Sequence, residues 1–382
     1  MPTVYFDYNA TTPLDSEVRL AMLACMEEAW GNPSSIHHVG RRARAMLDEA
    51  RERVAAVLGS KSSEVVFTSG GTESANLAIF GAARLLRAKG KHIISSSVEH
   101  HAVSHCCEYL KRDGFEVTYL PVDRYGVVAP DSLEKAIRPD TILVSIMTAN
   151  NEIGTLEPVT ELGAICRRKG VLFHTDAVQW MGKEPLLNIG QFNADMVSIC
   201  AHKMHGPKGA GALYVKSPLL PDPILFGGGH ENERRAGTEN LPAIMGLVET
   251  VERFVREPAF NKEKMTLLTS RLVALIERLD GVHLVGPRAN RLANTLSFVV
   301  EGTDSIALLA GLDMEGICAS SGSACSAGSL EPSHVIRALG LPAPLAAALV
   351  RFSVGRESTL AEVEHVEAVL PEVIKRAQGK AA

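Results

Sequence analysis

The sequence has 382 residues, of which 46% are hydrophobic and 22% charged, so a fibrous or disordered protein is excluded and a two-domain globular α/β protein is expected. Its formal net charge of −5 comes from acidic and basic residues spread along the chain, which argues against nucleic acid or a membrane surface as the main partner. The sequence also lacks a long apolar span and a secretory signal, which predicts a cytoplasmic protein with a small-molecule substrate.

Between Asp15 and about Gly170, amphipathic helical segments alternate with short apolar strands. Helices between such strands are typical of crossover connections and of a mostly parallel sheet, in which ligands bind at the carboxyl ends of the strands. The strands that bear on the site are EVVFTS, HIISSS, TILVSIMTA, VLFHTDA and MVSICA.

The Gly-rich loop FGGGHENERRAGTEN follows the strand ALYV. A long helical stretch follows, LPAIMGLVETVERFVREP continuing into KEKMTLLTSRLVALIERLDG, which we expect to bridge two lobes. Strands, the loop SSGSACSAGSLEPSH and a final amphipathic helix complete the chain. We therefore predict a large domain over residues 16–255 and a small α+β domain formed by residues 1–15 and 256–382.

Lys203 follows directly on an apolar strand and precedes a loop rich in Gly and Pro. An amine beside a buried strand has a lowered pKa, so its neutral form can condense with an aldehyde, although an arbitrary lysine is more often a surface residue. Asp176 ends the strand VLFHTD at the same predicted sheet edge. Alone it could equally cap a helix, but beside Lys203 its carboxylate can keep a pyridine nitrogen protonated. The pair predicts pyridoxal phosphate as cofactor.

Three further segments supply polar groups at strand ends. Gly71 and Thr72 stand where a strand passes into a helix, and backbone N–H groups there can bind a phosphate. His100 and Asn151 follow two other apolar strands, and an imidazole there can lie against the cofactor ring. A Gly-Gly-Thr turn is weak by itself, but it gains weight beside Lys203 and Asp176.

The same region has a second interpretation, since His101 and His105 are four residues apart and Cys106 and Cys107 follow them. This spacing could bind a metal, but no second ligand cluster supports it, and we expect no metal site.

Cys325 lies among small residues in the loop SSGSACSAGS. Cys25, Cys166 and Cys318 are expected to be buried apolar residues, and the odd number of cysteines without a CxxC pair argues against disulfides and structural zinc. A thiol on a Gly/Ser loop has few packing reasons to exist, so Cys325 is the candidate nucleophile.

These segments together resemble the cysteine desulfurases of the NifS/IscS class, which are pyridoxal phosphate enzymes of aminotransferase-like fold type I. The resemblance implies an α/β fold with a large, mostly parallel seven-stranded sheet domain and a smaller α+β domain. The motifs that carry it span nearly the whole chain, in the family's order: YFDYNATTP, GNPSSIH, FTSGGTESAN, VEHHAV, ANNEIGT, HTDAVQ, AHKMHGPKG, RRAGTEN, SSGSACSAGSLEPSHV and RFSVGR.

The resemblance also implies a role for each matching residue. Lys203 would form the Schiff base with the cofactor, Asp176 would contact the pyridine nitrogen and His100 would stack on the ring. Gln179 and Asn151 would lie near the phenolic oxygen, and Asn151 and Arg356 would bind the substrate carboxylate, for which a guanidinium is well suited. The implied phosphate ligands are Gly71, Thr72, Cys200, His202 and, reaching into the other subunit, Thr238. The role implied for Thr238 requires a homodimer with shared active sites.

The implied activity is that of a sulfurtransferase, in which L-cysteine becomes L-alanine and sulfur passes as a persulfide on Cys325 to a scaffold or other acceptor protein for iron–sulfur cluster assembly. Cys200, where many relatives have serine, and RRAGTEN resemble the nitrogen-fixation branch, and housekeeping assembly is the alternative. A selenocysteine lyase or an aminotransferase of the same fold is the nearest competing enzyme. A non-catalytic sulfur-relay scaffold is disfavoured because it needs none of Lys203, Asp176, His100 and Arg356.

Overall fold

The computed structural model of the protein describes residues 3–322 and 332–379. Helices within these ranges are α1 (Ser16–Glu28), α2 (His38–Leu58), α3 (Gly71–Leu85), α4 (His101–Arg112), α5 (Pro130–Ala136), α6 (Val159–Lys169), α7 (Leu241–Phe254), α8 (Lys262–Ile276), α9 (Ser305–Met314), α10 (His334–Ala338), α11 (Ala343–Ala346) and α12 (Leu360–Ala377). The strands are β1 (Val4–Tyr5), β2 (Val65–Thr68), β3 (His92–Ser96), β4 (Glu116–Leu120), β5 (Thr141–Ser145), β6 (Leu172–Asp176), β7 (Met196–Cys200), β8 (Gly211–Val215), β9 (Val282–Val285), β10 (Thr295–Val300), β11 (Ile317–Cys318) and β12 (Leu349–Ser353).

The largest sheet has seven strands in the order β2-β8-β7-β6-β5-β3-β4. The pairs from β7 to β4 are parallel, and β8 runs antiparallel to both of its neighbours. Strands alternate their side chains between two apolar cores: Phe67 and Ile94 face one core, while Val66 and Ile93 face the other. Burial on both faces explains why these strands read as continuous apolar runs. The predicted fold class is confirmed.

Two smaller sheets lie in the rest of the structure. Strands β12, β10 and β9 form an antiparallel sheet, and β1 pairs in parallel with β11. Their core includes Phe298 and Phe352, whose ring centroids are 5.3 Å apart, and Phe6 from the N-terminal segment. The N-terminal residues therefore pack with the C-terminal part of the chain, and the division into residues 16–255 and the remainder stays a prediction.

The predicted continuous helix after the Gly-rich loop is wrong, because α7 ends at Phe254 and α8 begins at Lys262. Pro258 lies between them and disfavours helical geometry in the residue before it. Asn261 then caps the new helix, since its side chain accepts a hydrogen bond of 2.9 Å from the backbone N–H of Lys264. Among the helices of the described residues, none has both the length and the apolar character needed to cross a membrane.

Candidate active site

A cavity of about 220 Å³ opens where β6 and β7 end and α3 begins. Nine of the residues predicted from the sequence line this cavity: Gly71, Thr72, His100, Asn151, Asp176, Gln179, Cys200, His202 and Lys203. The carboxyl ends of neighbouring parallel strands meet at one sheet edge, which brings these distant segments together. A larger surface groove beside Trp180 and β9 contains none of the predicted site residues.

Lys203 lies in a short 3-10 turn, Ala201–Lys203, directly after β7. Its Nζ donates hydrogen bonds of 2.7 Å to the backbone carbonyls of Asn9 and Ala10. Lys203 is the only lysine among the described residues that line the cavity. The N-terminal segment thus holds an amine of the cavity that is suited to condense with an aldehyde.

Asp176 is the last residue of β6 and is 7% exposed. Its Oδ1 accepts a hydrogen bond of 2.9 Å from the backbone N–H of Val178. Burial raises the pKa of Asp176 to about 6, and the Val178 hydrogen bond and the charge of Lys203 oppose this shift only in part. A buried carboxylate of this kind gains from a cationic partner, which a protonated pyridine nitrogen would provide.

Because its pKa is raised, the ionised Asp176 side chain destabilises the folded, cofactor-free protein. The folded state binds the proton more tightly than the unfolded state, so stability falls as pH rises from about 4 to about 6. Asp176→Asn should therefore raise the free energy of unfolding of the cofactor-free protein at pH 8 by up to about 3 kcal/mol. Its thermal midpoint should rise accordingly. Thermal unfolding of both proteins at pH 5 and pH 8 tests this. The increase in the thermal midpoint of the variant must be smaller at pH 5 than at pH 8, and an equal decrease at both pH values would contradict the prediction.

A phosphate site is formed by the N-terminus of α3. The N-cap residue Gly70 has φ of +150° and, as a glycine, supplies no side-chain cap to the first backbone N–H groups of the helix. A Cβ on Gly71 would come within 2.7 Å of Val178, so only glycine allows this close approach. Thr72 and His202 line the same cavity. Uncapped N–H groups and the helix dipole favour an anion.

His100 caps α4, and its Nδ1 accepts a hydrogen bond of 3.1 Å from the backbone N–H of Ala102. Burial, with a further contribution from Lys203, lowers the pKa of His100 to about 4, so the ring is neutral near pH 7. Burial likewise lowers the pKa of His202 to about 4, and its Nδ1 lies 3.1 Å from Thr11 Oγ1. Neutral rings can stack on a cofactor without adding positive charge.

Two predicted residues lie outside the cavity lining. Thr238 is exposed in a separate hollow that Thr68 and Arg235 also line, so its contact with a second subunit stays a prediction. Arg356 lies beyond the end of β12, where its Nη1 donates to Asp15 at 2.7 Å and its Nε to Glu357 at 2.9 Å.

Arg351, which the sequence analysis did not single out, lines the cavity, and the role expected for Arg356 stays a prediction. Arg351 is 1% exposed in the middle of β12, and its Nη2 pairs with Asp7 at 2.6 Å. Its Nη1 donates to the carbonyl of Asn151, and its Nε is buried with no hydrogen-bond partner within the described residues. The sequence contained a signal for this, because the apolar strand LVRFS buries both faces and forces Arg351 inward. Asn9 was also missed, although it lies in the motif YFDYNATTP.

Cys325 falls within residues 323–331, outside the described residues. The residues on either side of that segment both contact Glu152, the neighbour of Asn151 in the cavity wall. Ser333 Oγ donates to Glu152 Oε2 at 2.5 Å. Gly322 has φ of +108°, and a Cβ there would lie 2.6 Å from the same oxygen. The described residues Gly322 and Ser333 therefore both lie beside Glu152, which follows the cavity residue Asn151 in the chain.

The alternative metal site is not formed in the described part of the chain. His101 stacks on His105 with centroids 4.7 Å apart, and His334 lies 4.9 Å from His101. No group of three or more His, Cys, Asp or Glu side chains within residues 3–322 and 332–379 is arranged to hold a metal ion.

Comparison with known proteins agrees with this geometry. The model of the aminotransferase class-V family matches residues 4–366. The chain is 49% identical to cysteine desulfurase IscS of Dictyoglomus turgidum, over 98% of this chain and 95% of that protein. It is 47% identical to cysteine desulfurase IscS of Methanosarcina thermophila, over 98% and 92% of the two chains.

Solved structures agree as well. A NifS-like protein superimposes with a TM-score of 0.91 at 37% identity, covering 98% of this chain and all of that one. A NifS-like protein from Rickettsia africae gives a TM-score of 0.87 at 31% identity, over 97% and 99% of the chains. The resemblance read from the sequence motifs is confirmed: the chain belongs to the aminotransferase class-V family of pyridoxal phosphate enzymes and, within it, to the cysteine desulfurases of the NifS/IscS class.

Proposed function

We propose that the protein is a cysteine desulfurase that converts L-cysteine to L-alanine and passes the sulfur, as a persulfide on Cys325, to an acceptor protein. The observation that carries the proposal is the single cavity that unites Lys203, Asp176 and His100 with the N-terminus of α3. These residues fit pyridoxal 5′-phosphate, because they offer an amine, a buried carboxylate and an anion site in one place. When bound, the cofactor supplies a protonated ring that withdraws electrons from the substrate Cα.

The residues that would hold the cofactor divide by chemistry. Asp176 would keep the ring nitrogen protonated, and Gln179 and Asn151 would lie at the side of the ring oxygen. His100 would cover the ring face. The phosphate would be held by the N-terminal N–H groups of α3 with Gly71, Thr72, Cys200 and His202. Burial raises the pKa of Cys200, so it acts there as a neutral, weak donor.

Two residues would carry the chemistry. Lys203 Nζ would receive the proton that leaves the substrate Cα. The thiolate of Cys325 would attack the substrate sulfur, so that the S–S bond forms as the C–S bond breaks. The electron pair of the C–S bond stays with the organic product, which takes up a proton and becomes alanine. Sulfur would then leave Cys325 by attack of a thiol from the acceptor.

Arg351, rather than Arg356, is the better candidate for the substrate carboxylate, because Arg351 lines the cavity and its Nε lacks a partner within the described residues. Arg351→Lys should raise KM for L-cysteine about tenfold to a hundredfold, the loss expected for a charged hydrogen bond. Arg356 lies outside the cavity lining, and lysine keeps the charge that faces the buried Asp15, so Arg356→Lys should change KM by less than about threefold. Steady-state kinetics on the cofactor-loaded proteins tests this. A larger increase in KM for Arg356→Lys than for Arg351→Lys would assign the substrate carboxylate to Arg356.

The proposal includes a homodimer in which Thr238 reaches the cofactor phosphate of the second subunit, a cytoplasmic location, and an iron–sulfur scaffold or other sulfur acceptor as partner. The alternatives are a selenocysteine lyase and an aminotransferase of the same fold. Incubation of the cofactor-loaded protein with L-cysteine separates them. We expect alanine and sulfide in equal amounts under a thiol reductant. An aminotransferase would instead give a keto acid and require an amino acceptor, and a selenocysteine lyase would act on selenocysteine alone.

A further inference from the structure

Lys183 is a buried lysine that the proposed chemistry does not use. It is 5% exposed and lies seven residues beyond Asp176, behind the cavity wall. Its Nζ donates to Asn9 Oδ1 at 2.6 Å and to Gln179 Oε1. It forms no ion pair with any residue in 3–322 or 332–379, whereas buried lysines are normally paired with a carboxylate.

Asn9 has its amide orientation fixed by three other contacts. Its Nδ2 donates to the carbonyl of Asn151 at 3.1 Å and to Thr295 Oγ1 at 2.9 Å. Its Oδ1 also accepts from Asn294 Nδ2 at 3.0 Å. Lys183 therefore meets an oxygen of Asn9 and must act as a donor.

Gln179 presents the two ends of its amide to opposite kinds of group. Its Oε1 accepts from Lys183, and its Nε2 donates to the backbone carbonyl of Asn9 at 3.0 Å. A half-turn of the amide would place an NH₂ group against the Lys183 amine and an oxygen against that carbonyl. Because amide oxygen and nitrogen differ little in shape, only such partners decide which end faces which way.

We propose that Lys183 is a positioning residue that fixes the orientation of the Gln179 amide, so that an N–H rather than an oxygen is presented to the ring oxygen of the cofactor. This inference rests on the proposed function, because it assigns the cavity to pyridoxal phosphate. Lys183 does not line the cavity itself and would act on the cofactor through Gln179.

The surroundings of Lys183 support a hydrogen-bonding role over a charge role. Burial, followed by the positive charges of Lys203 and Arg351, lowers the pKa of Lys183 well below its ordinary value. The Phe260 ring centroid lies 5.4 Å from Nζ. The amine keeps N–H donors whether or not it is charged, and the Asn9 carbonyl that accepts from Gln179 Nε2 would repel the oxygen of a turned amide.

The test is a double-mutant cycle on the cofactor-loaded protein without substrate, read as the pH midpoint of its visible absorbance. A donor to the ring oxygen favours its anionic form, so losing the donor raises this midpoint. We expect Lys183→Met and Gln179→Met each to raise it by about 0.5 to 1 pH unit. The double variant should show no more than the Gln179→Met shift, because Lys183 acts through that amide. Lys91→Met, at an exposed position, is the matched control.

A wild-type midpoint in Lys183→Met, with a shifted midpoint in Gln179→Met, would overturn the inference, as would full additivity. A crystal structure of the wild-type holoenzyme gives a test that needs no variant. Lys183 Nζ must lie within hydrogen-bond distance of the Gln179 amide, and a side chain turned to another partner would overturn the inference. Failure of the proposed function looks different, since the wild-type protein itself would then show no cofactor absorbance.

Discussion

Cys325→Ala is expected to stop the formation of alanine and sulfide from L-cysteine while leaving the cofactor bound. The variant has no thiolate at position 325 to accept the substrate sulfur, so the rate should fall at least about a thousandfold. The cofactor should remain because its expected ligands lie on strand ends and on α3, and Cys325 is not one of them. The measurement is the rate of both products together with the visible absorbance of each protein.

Cys318→Ala is the matched control, since Cys318 is a half-buried thiol in β11, seven residues before Cys325. It should keep the wild-type rate within about threefold. If Cys325→Ala still produces sulfide at the wild-type rate, sulfur leaves without a persulfide on this residue, and a lyase that eliminates sulfur directly becomes the better account.

Lys203→Ala should lose both covalent attachment of the cofactor and activity. Lys203 is the only lysine among the described residues of the cavity lining, and its Nζ is held by two backbone carbonyls. Lys183 lies nearby but is engaged with Asn9 and Gln179. We expect cofactor to be removed by dialysis and the rate to fall at least about a thousandfold.

Exposed Lys91 serves again as the control, and Lys91→Ala should keep both the colour and the rate. Treatment with borohydride before proteolysis locates the attachment directly. A reduced adduct on a peptide other than the one containing Lys203 would contradict the assignment.

The position of the cavity could be predicted from the sequence because strand ends are local features. Asp176, Cys200 and Lys203 each follow an apolar run, and the carboxyl ends of β6 and β7 lie side by side in a parallel pair. Helix α3 follows β2 through two glycines, which marks a site where backbone N–H groups are open. These relationships need no knowledge of how distant segments pack.

Contacts between distant segments could not be predicted. Asn9 reaches Lys183, Asn294 and Lys203 across more than 170 residues of chain, and no local pattern indicates such a network. The choice between Arg351 and Arg356 likewise depends on where β12 ends relative to the cavity. The apolar periodicity of the sequence continues from α7 into α8 and so predicted one helix. The structure has two helices, because the short loop with Pro258 interrupts them.

The most direct test of the proposed activity is one turnover of the cofactor-loaded wild-type protein with L-cysteine and no reductant or acceptor. If one L-cysteine is supplied per subunit, so that no excess substrate thiol remains to remove the sulfur, transfer to Cys325 should give about one alanine per subunit with little release of sulfide. Mass spectrometry should find one added sulfur atom on the peptide that contains Cys325. Continued release of sulfide with an unmodified Cys325 peptide would contradict the account.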